Sequence, residues 1–143
     1  MNHDLQLVEI IGASRTGKTT TAKQLGEGMS RLNHGSLHFI NYVNNFTTLQ
    51  NTLKQLDELG MEKGSTFVID EVNEGMSDTD CEVFLGNWLT KHKDEIQNLI
   101  ITGTSYEDIF TIVDVLAIDK IPFTVRMIRM DSTVYQLKRK NNN

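Results

Sequence analysis

The segment Gly12-Ala13-Ser14-Arg15-Thr16-Gly17-Lys18-Thr19 constrains this chain more than any other. It fits the pattern G-x-x-x-x-G-K-[ST], follows an apolar run from Leu5 to Ile11, and opens a stretch with Ala22, Leu25, Met29 and Leu32 at helical spacing. Gly12 and Gly17 let the loop curl so that successive backbone N–H groups point inward, and the positive end of the helix dipole adds to the same point. The expected product is a cradle for phosphate oxygens built from Gly12, Ala13, Ser14, Arg15, Thr16, Gly17, Lys18 and Thr19, with Thr20 as a further contact to an α-phosphate. Lys18 is expected to neutralise β- and γ-phosphates, and Thr19 to place its hydroxyl on Mg²⁺. The alternative is a plain glycine turn before a helix; the coincidence of pattern, preceding strand and following helix weighs against it. The Arg15 side chain is read as pointing outward, to solvent or a neighbouring subunit, with no catalytic part.

The same alternation of short apolar runs and helical stripes continues along the chain. Leu37 to Val43 reads as a second strand, followed by a stripe at Phe46, Leu49, Leu53, Leu56 and Leu59 that Gly60 closes. Thr66-Phe67-Val68-Ile69 ends in Asp70-Glu71, after which Ser77 is placed to cap a helix burying Cys81, Phe84, Leu85, Trp88 and Leu89. Leu99-Ile100-Ile101 before Thr102-Gly103 supplies a fourth strand, with Ser105 as the cap of a helix carrying Ile109, Phe110, Val113 and Leu116. Phe123 to Met130 is the fifth strand, and a turn at Asp131-Ser132 is expected to return Val134 to Leu137 as an antiparallel edge strand. Gly26 and Gly28 weaken the first helix, each by about 1 kcal/mol relative to alanine, and leave its end open. Pro122 is the sole proline and no repeat divides the chain, so residues 1–137 are expected to form one domain and 138–143 a polar basic tail. Strands alternating with helices specify an α/β fold. The expected architecture is a three-layer sandwich with a mostly parallel five-stranded sheet, helices on both faces, and a functional crevice at the C-terminal ends of the strands.

Asp70 and Glu71 fall at that crevice end. An acidic strand end alone reads as a solvated surface feature. Beside a phosphate loop, Asp70 is the expected Mg²⁺ carboxylate, acting through water, and Glu71 the group expected to orient and polarise an attacking water. With GASRTGKT as Walker A and TFVIDE as Walker B, the chain resembles P-loop NTPases of the additional-strand, catalytic-glutamate division, RecA-like in architecture, over nearly its whole length. The resemblance implies an extra strand between the Walker A and Walker B strands, with a polar sensor at its C-terminal end. Leu99 to Thr104 looks like that strand; Thr102 is the first candidate sensor, matched to the place of Asp70 after its apolar run, and Thr104 the second. It also implies ATP and Mg²⁺ as cofactors, and ATP hydrolysis with Lys18, Glu71 and Thr102 as the catalytic residues. No N-K-x-D element and no L-S-G-G-Q segment occurs, which disfavours a GTPase and a complete ABC ATPase. The chain ends too soon after the fifth strand for the helical lid of AAA+ proteins, and the x-R-x-G-K-T loop with its closing hairpin is most similar to FtsK/HerA-type motors. Members of that group generally complete their sites across subunit boundaries, where a neighbour's arginine can stabilise the transition-state charge; Arg126, Arg129 and Arg31 are the candidates, each read as an ordinary surface arginine in preference to that role. Arg126 and Arg129, three apart in a strand, face opposite sides and are not expected to serve together.

Composition narrows what such a site serves. The 143 residues, 38% hydrophobic and 23% charged, suit one globular core. A net charge of -5 at pH 7 and a pI near 5.3 give no global positive field, so any contact with DNA must be local. Lys138-Arg139-Lys140 is read as part of a solvated tail in preference to a phosphate or partner contact. No run approaches about 18 apolar residues and no leader pattern opens the chain; with the single Cys81, the expectation is a cytoplasmic, reduced protein without membrane association. His3, His34, His38 and His92 share no metal-ligand spacing with Cys81, which reads as a small buried hydrophobe. Asn44-Asn45 serves equally as a substrate contact or a helix cap. Three functions stay open. The first is an ATP-hydrolysing oligomeric motor or motor subunit, with DNA among its candidate substrates. The second is a nucleotide or small-molecule kinase, although the arginines form no lid-like cluster. The third is an ATP-gated binding module with slow hydrolysis. The expected partners are ATP and either further copies of the chain or another protein.

Overall fold

The computed structural model describes residues 4–12, 17–41, 46–72, 79–103 and 108–130, with backbone alone at 41, 46, 71–72, 79–81 and 108–111. Ala13 to Thr16, Asn44-Asn45, Ser77, Thr104, Ser105, the Asp131 to Leu137 hairpin with its antiparallel strand, and the basic tail lie outside the described residues. Strands and helices alternate strictly: β1 (Leu5–Gly12), α1 (Lys18–Asn33), β2 (Leu37–Asn41), α2 (Phe46–Leu59), β3 (Ser65–Val72), α3 (Thr79–Lys91), β4 (Ile96–Gly103), α4 (Asp108–Ile118) and β5 (Phe123–Met130). The strands form one sheet in the order β2-β3-β4-β1-β5, and every pairing is parallel. The fourth strand in sequence therefore lies between the strand before the glycine loop and the strand that carries Asp70.

Burial follows from that order. A parallel strand inside such a sheet is covered on both faces and needs apolar or internally paired residues throughout. β4 is buried along its whole length, whereas β5, at the edge, is half-covered and exposes Arg126, Met127 and Arg129. On one face Val8, Ile10, Val68 and Ile100 pack beneath α1 with Ala22, Leu25 and Met29. On the other, Leu7, Phe67, Ile69, Leu99 and Ile101 pack against Leu49 and Leu53 of α2, Leu85, Trp88 and Leu89 of α3, and Ile112 and Leu116 of α4. This is the three-layer arrangement expected from the alternation.

Three expectations need correction. β4 begins at Ile96, before the apolar run, because its polar residues are paired where they are buried: Gln97 donates to the Asp4 carbonyl at 2.8 Å, and Asn98 donates to Asn33 Oδ1 and Thr66 Oγ1, both at 2.8 Å. The glycines of α1 do not shorten it. A Cβ on Gly26 would stand 3.0 Å from both Leu37 Cδ1 and Val68 Cγ2, so the missing side chain lets the helix lie close on the sheet, and α1 runs on to Asn33. Leu32 and Leu59 complete apolar stripes by spacing yet are 81% and 82% exposed, since the last turns of α1 and α2 run past the core.

Candidate nucleotide site

α1 starts immediately after Gly17, whose φ of 88° and ψ of 18° are left-handed and strained for any residue with a Cβ. Among the described residues no side chain caps this N-terminus, and the contacts of its first turn place it at the edge formed by the C-terminal ends of β1, β4 and β3. The glycine loop's second fixed position thus sets the direction in which Lys18 and Thr19 leave the helix.

Those two side chains bind different strands. Lys18 Nζ donates to the carbonyl of Gly12, the last residue of β1, at 2.6 Å, and to that of Gly103, the last residue of β4, at 3.3 Å. Thr19 Oγ1 lies 2.9 and 3.1 Å from the two carboxylate oxygens of Asp70 on β3. Asp70 is 1% exposed, and among the described residues no lysine, arginine or histidine nitrogen lies within ion-pair distance of it. Thr102, fully buried on β4, supplies another hydroxyl 2.7 Å from Asp70 Oδ1. Lys18, Thr19 and Asp70, expected from the motif and its spacing, and Thr102, expected from the resemblance, are brought together at one place. Thr20, at the exposed side of the first turn, makes no described contact with that cluster.

The backbone at the carboxylates is irregular. Ile69 pairs with Ile101, but the next pairing is Val72 with Gly103, so Asp70 and Glu71 together stand against the single residue Thr102. This bulge breaks the period-two alternation that would otherwise turn neighbouring strand residues to opposite faces. The adjacent Asp-Glu in the sequence marks the place but not the extra residue, and Gly103 as a carbonyl partner of Lys18 carries no sequence signal.

A magnesium ion held with nucleotide phosphates needs only one or two carboxylates and otherwise keeps water ligands. The oxygen set of Thr19 and Asp70 fits that requirement, and among the described residues no cluster of three or more His, Cys, Asp or Glu forms an all-protein metal site. The arginine candidates are dispersed. Arg31 donates to the Glu27 carbonyl in the last turn of α1; Arg126 is level with Val8, and Arg129 with Ile11, near the crevice end.

Titratable groups elsewhere serve packing. Burial holds the His38 imidazole below its usual range against the raising effect of Glu62, and the ring stacks on Phe67 at 4.6 Å. Burial would raise Asp57, but hydrogen bonds from Trp88 and Lys91 and the charges of His92 and Lys91 outweigh it and lower its pKa. This group borders a groove of about 470 Å³ between α2 and α3, remote from the glycine loop. Among the described residues no helix is long and apolar enough to cross a membrane.

No family model matches the sequence, and no curated protein does. Solved structures do. C. elegans PCH-2 superposes with a TM-score of 0.54 at 20% identity over 94% of this chain and 40% of its own. Aeropyrum pernix ORC2 in its ADP form superposes with a TM-score of 0.52 at 11% identity over 96% of this chain and 46% of its own. The chain thus spans less than half the length of either structure. At these identities the likeness is one of fold. With β4 between β1 and β3, and the strand–glycine–helix unit leading into the crevice, the chain has the fold of the additional-strand division of P-loop ATPases.

Proposed function

We propose that this chain binds ATP with Mg²⁺ and hydrolyses it. The observation that carries this reading is the bond from Thr19, in the first turn of α1, to the buried Asp70 carboxylate, with the Lys18 ammonium beside it at the ends of β1 and β4. Lys18 holds a fixed positive charge at the crevice for phosphate oxygens, and the first-turn N–H groups add neutral donors. Thr19 and Asp70 would hold the metal, Thr19 through its hydroxyl and Asp70 through water. When bound, Mg²⁺ neutralises charge on the phosphate oxygens. Glu71, one residue beyond Asp70 on β3, is the proposed base that orients a water and accepts its proton. The ADP form of the ORC2 structure supports an adenine nucleotide. The similarity of the loop to FtsK/HerA-type motors supports an oligomeric motor or motor subunit, with DNA as one candidate substrate.

The test is phosphate release from ATP with Mg²⁺ over a range of protein concentrations, with and without single- and double-stranded DNA, using Lys18→Ala as the blank. Turnover absent from the blank supports the reading, and a steep rise with protein concentration or DNA supports a motor. ATP consumption that depends on an added acceptor would make it a kinase. Nucleotide-dependent partner affinity without turnover would make it a gated module. Failure of the wild-type chain to bind any Mg²⁺-nucleotide would overturn the proposal.

A further inference from the structure

On the nucleotide reading of this site, we propose that Thr102 is a positioning residue for Asp70, fixing the carboxylate from the β4 side, where the strand ladder is broken, and is not the group that touches the γ-phosphate. Three observations converge. The β3 bulge sets Asp70 and Glu71 against Thr102 alone, so the regular pairing that orients a strand residue is broken on the β4 side of Asp70, while on the β2 side Asp70 stays in register with Asn41. Thr102 Oγ1 lies 2.7 Å from Asp70 Oδ1, the shortest of the hydroxyl contacts to that carboxylate. Both side chains are buried, Thr102 fully and Asp70 to 1% exposure, so water does not substitute freely for the bond.

The chemistry assigns the direction of that bond. An ionised carboxylate only accepts, so each hydroxyl on Asp70 must donate its single proton there. Thr102 therefore has no proton left to give a phosphate oxygen while it holds Asp70. With Thr19 and Thr102 donating, the carboxylate is held from α1 and from β4, and its remaining lone pairs would be the ones available to a hydrated Mg²⁺. Hydrogen bonds to a charged, buried group are worth more than neutral ones, and removing a donor leaves the acceptor free to turn.

The full-length chain is titrated with Mg²⁺ in the presence of a fluorescent ATP analogue, reading binding as well as phosphate release. Thr102→Val, which keeps the shape and removes the hydroxyl, is expected to raise the half-saturating Mg²⁺ concentration by about tenfold or more, tenfold being the lower end for one bond to a charged acceptor. Binding of the analogue in EDTA should not change, turnover should recover at high Mg²⁺, and Thr102→Ser should restore the Mg²⁺ dependence to within about twofold of wild type. In an Asp70→Asn background the valine substitution should shift nothing further. A valine variant with wild-type Mg²⁺ half-saturation and turnover lost even at saturating Mg²⁺ would overturn the proposal and return Thr102 to direct contact with the reacting phosphate. Where the valine variant does not fold, Thr102→Ala takes its place against the same serine control. Wild-type protein that binds no Mg²⁺-nucleotide sinks the nucleotide reading itself, whereas wild-type binding with an unshifted valine variant sinks only this assignment.

Discussion

Lys18 and Glu71 separate two losses that a single activity assay merges. Lys18 binds through charge to carbonyl groups at the ends of two strands, and the same ammonium is the proposed phosphate contact. Lys18→Ala is therefore expected to lose nucleotide binding, read by a fluorescent analogue, and turnover with it. Glu71→Gln keeps shape and polarity but removes the proposed base, so binding should persist while turnover drops by about 10²-fold or more. Residual turnover equal to wild type would reject Glu71 as the base. A second residue-scale prediction concerns His38. Its pKa is lowered by burial, so as pH falls the unfolded chain takes up the proton first. Stability is thus full above the unfolded value near 6.5 and declines as pH falls through it toward the lower folded value. His38→Phe keeps the stacking on Phe67 without the titration, so its melting temperature should fall less between pH 7.5 and 5.5 than that of wild type. An equal fall in both proteins would show that His38 does not carry this pH dependence.

At the scale of an element, α1 contains a paired experiment. Gly28 has no heavy atom within 4 Å of an added Cβ, whereas Gly26 would meet Leu37 and Val68 at 3.0 Å. Gly28→Ala should stabilise by roughly 0.5–1 kcal/mol through helix propensity alone, and Gly26→Ala should destabilise because α1 must lift from the sheet. Denaturant melts of both variants check the pair, and a stabilised Gly26→Ala would show that the Leu37 and Val68 side chains yield. The same helix shows why the sequence reads only in part. Periodicity placed Ala22, Leu25 and Met29 correctly because burial follows spacing, and the strand–glycine–lysine pattern located Lys18 and Thr19 because backbone conformation at Gly17 is local. What spacing does not carry is close approach. Gly26 counts against a helix by propensity and serves it by packing, Asn98 looks too polar for a central strand until Asn33 and Thr66 pair with it, and a bulge at Asp70 is a relation between two strands that neither states alone.

At the scale of the whole molecule, the parallel sheet ranks the arginines that could serve a neighbour on the proposed oligomeric reading. All five strands share a direction, so height in the register is height toward the crevice. Arg31 lies thirteen residues beyond Lys18 on α1, about 20 Å along the helix axis and away from the crevice end. Arg126 is level with Val8, while Arg129 is level with Ile11, one residue below Gly12, and exposed on the edge strand β5. On that proposed reading the donor should be exposed, at crevice height and on the edge of the described sheet, and Arg129 is the one of the three that meets all those conditions. If the proposed ATPase completes its site head-to-tail, Lys18→Ala and Arg129→Ala should each be nearly inactive. A random equal mixture should then recover about a quarter of wild-type turnover, because one interface in four joins an intact Lys18 site to an intact Arg129 donor. Turnover of the mixture no greater than the mean of the two variants alone would remove Arg129 from the neighbour's site. The same mixture made with Arg126→Ala separates height from mere exposure: both residues are exposed on β5, but only the one at the crevice end should complement.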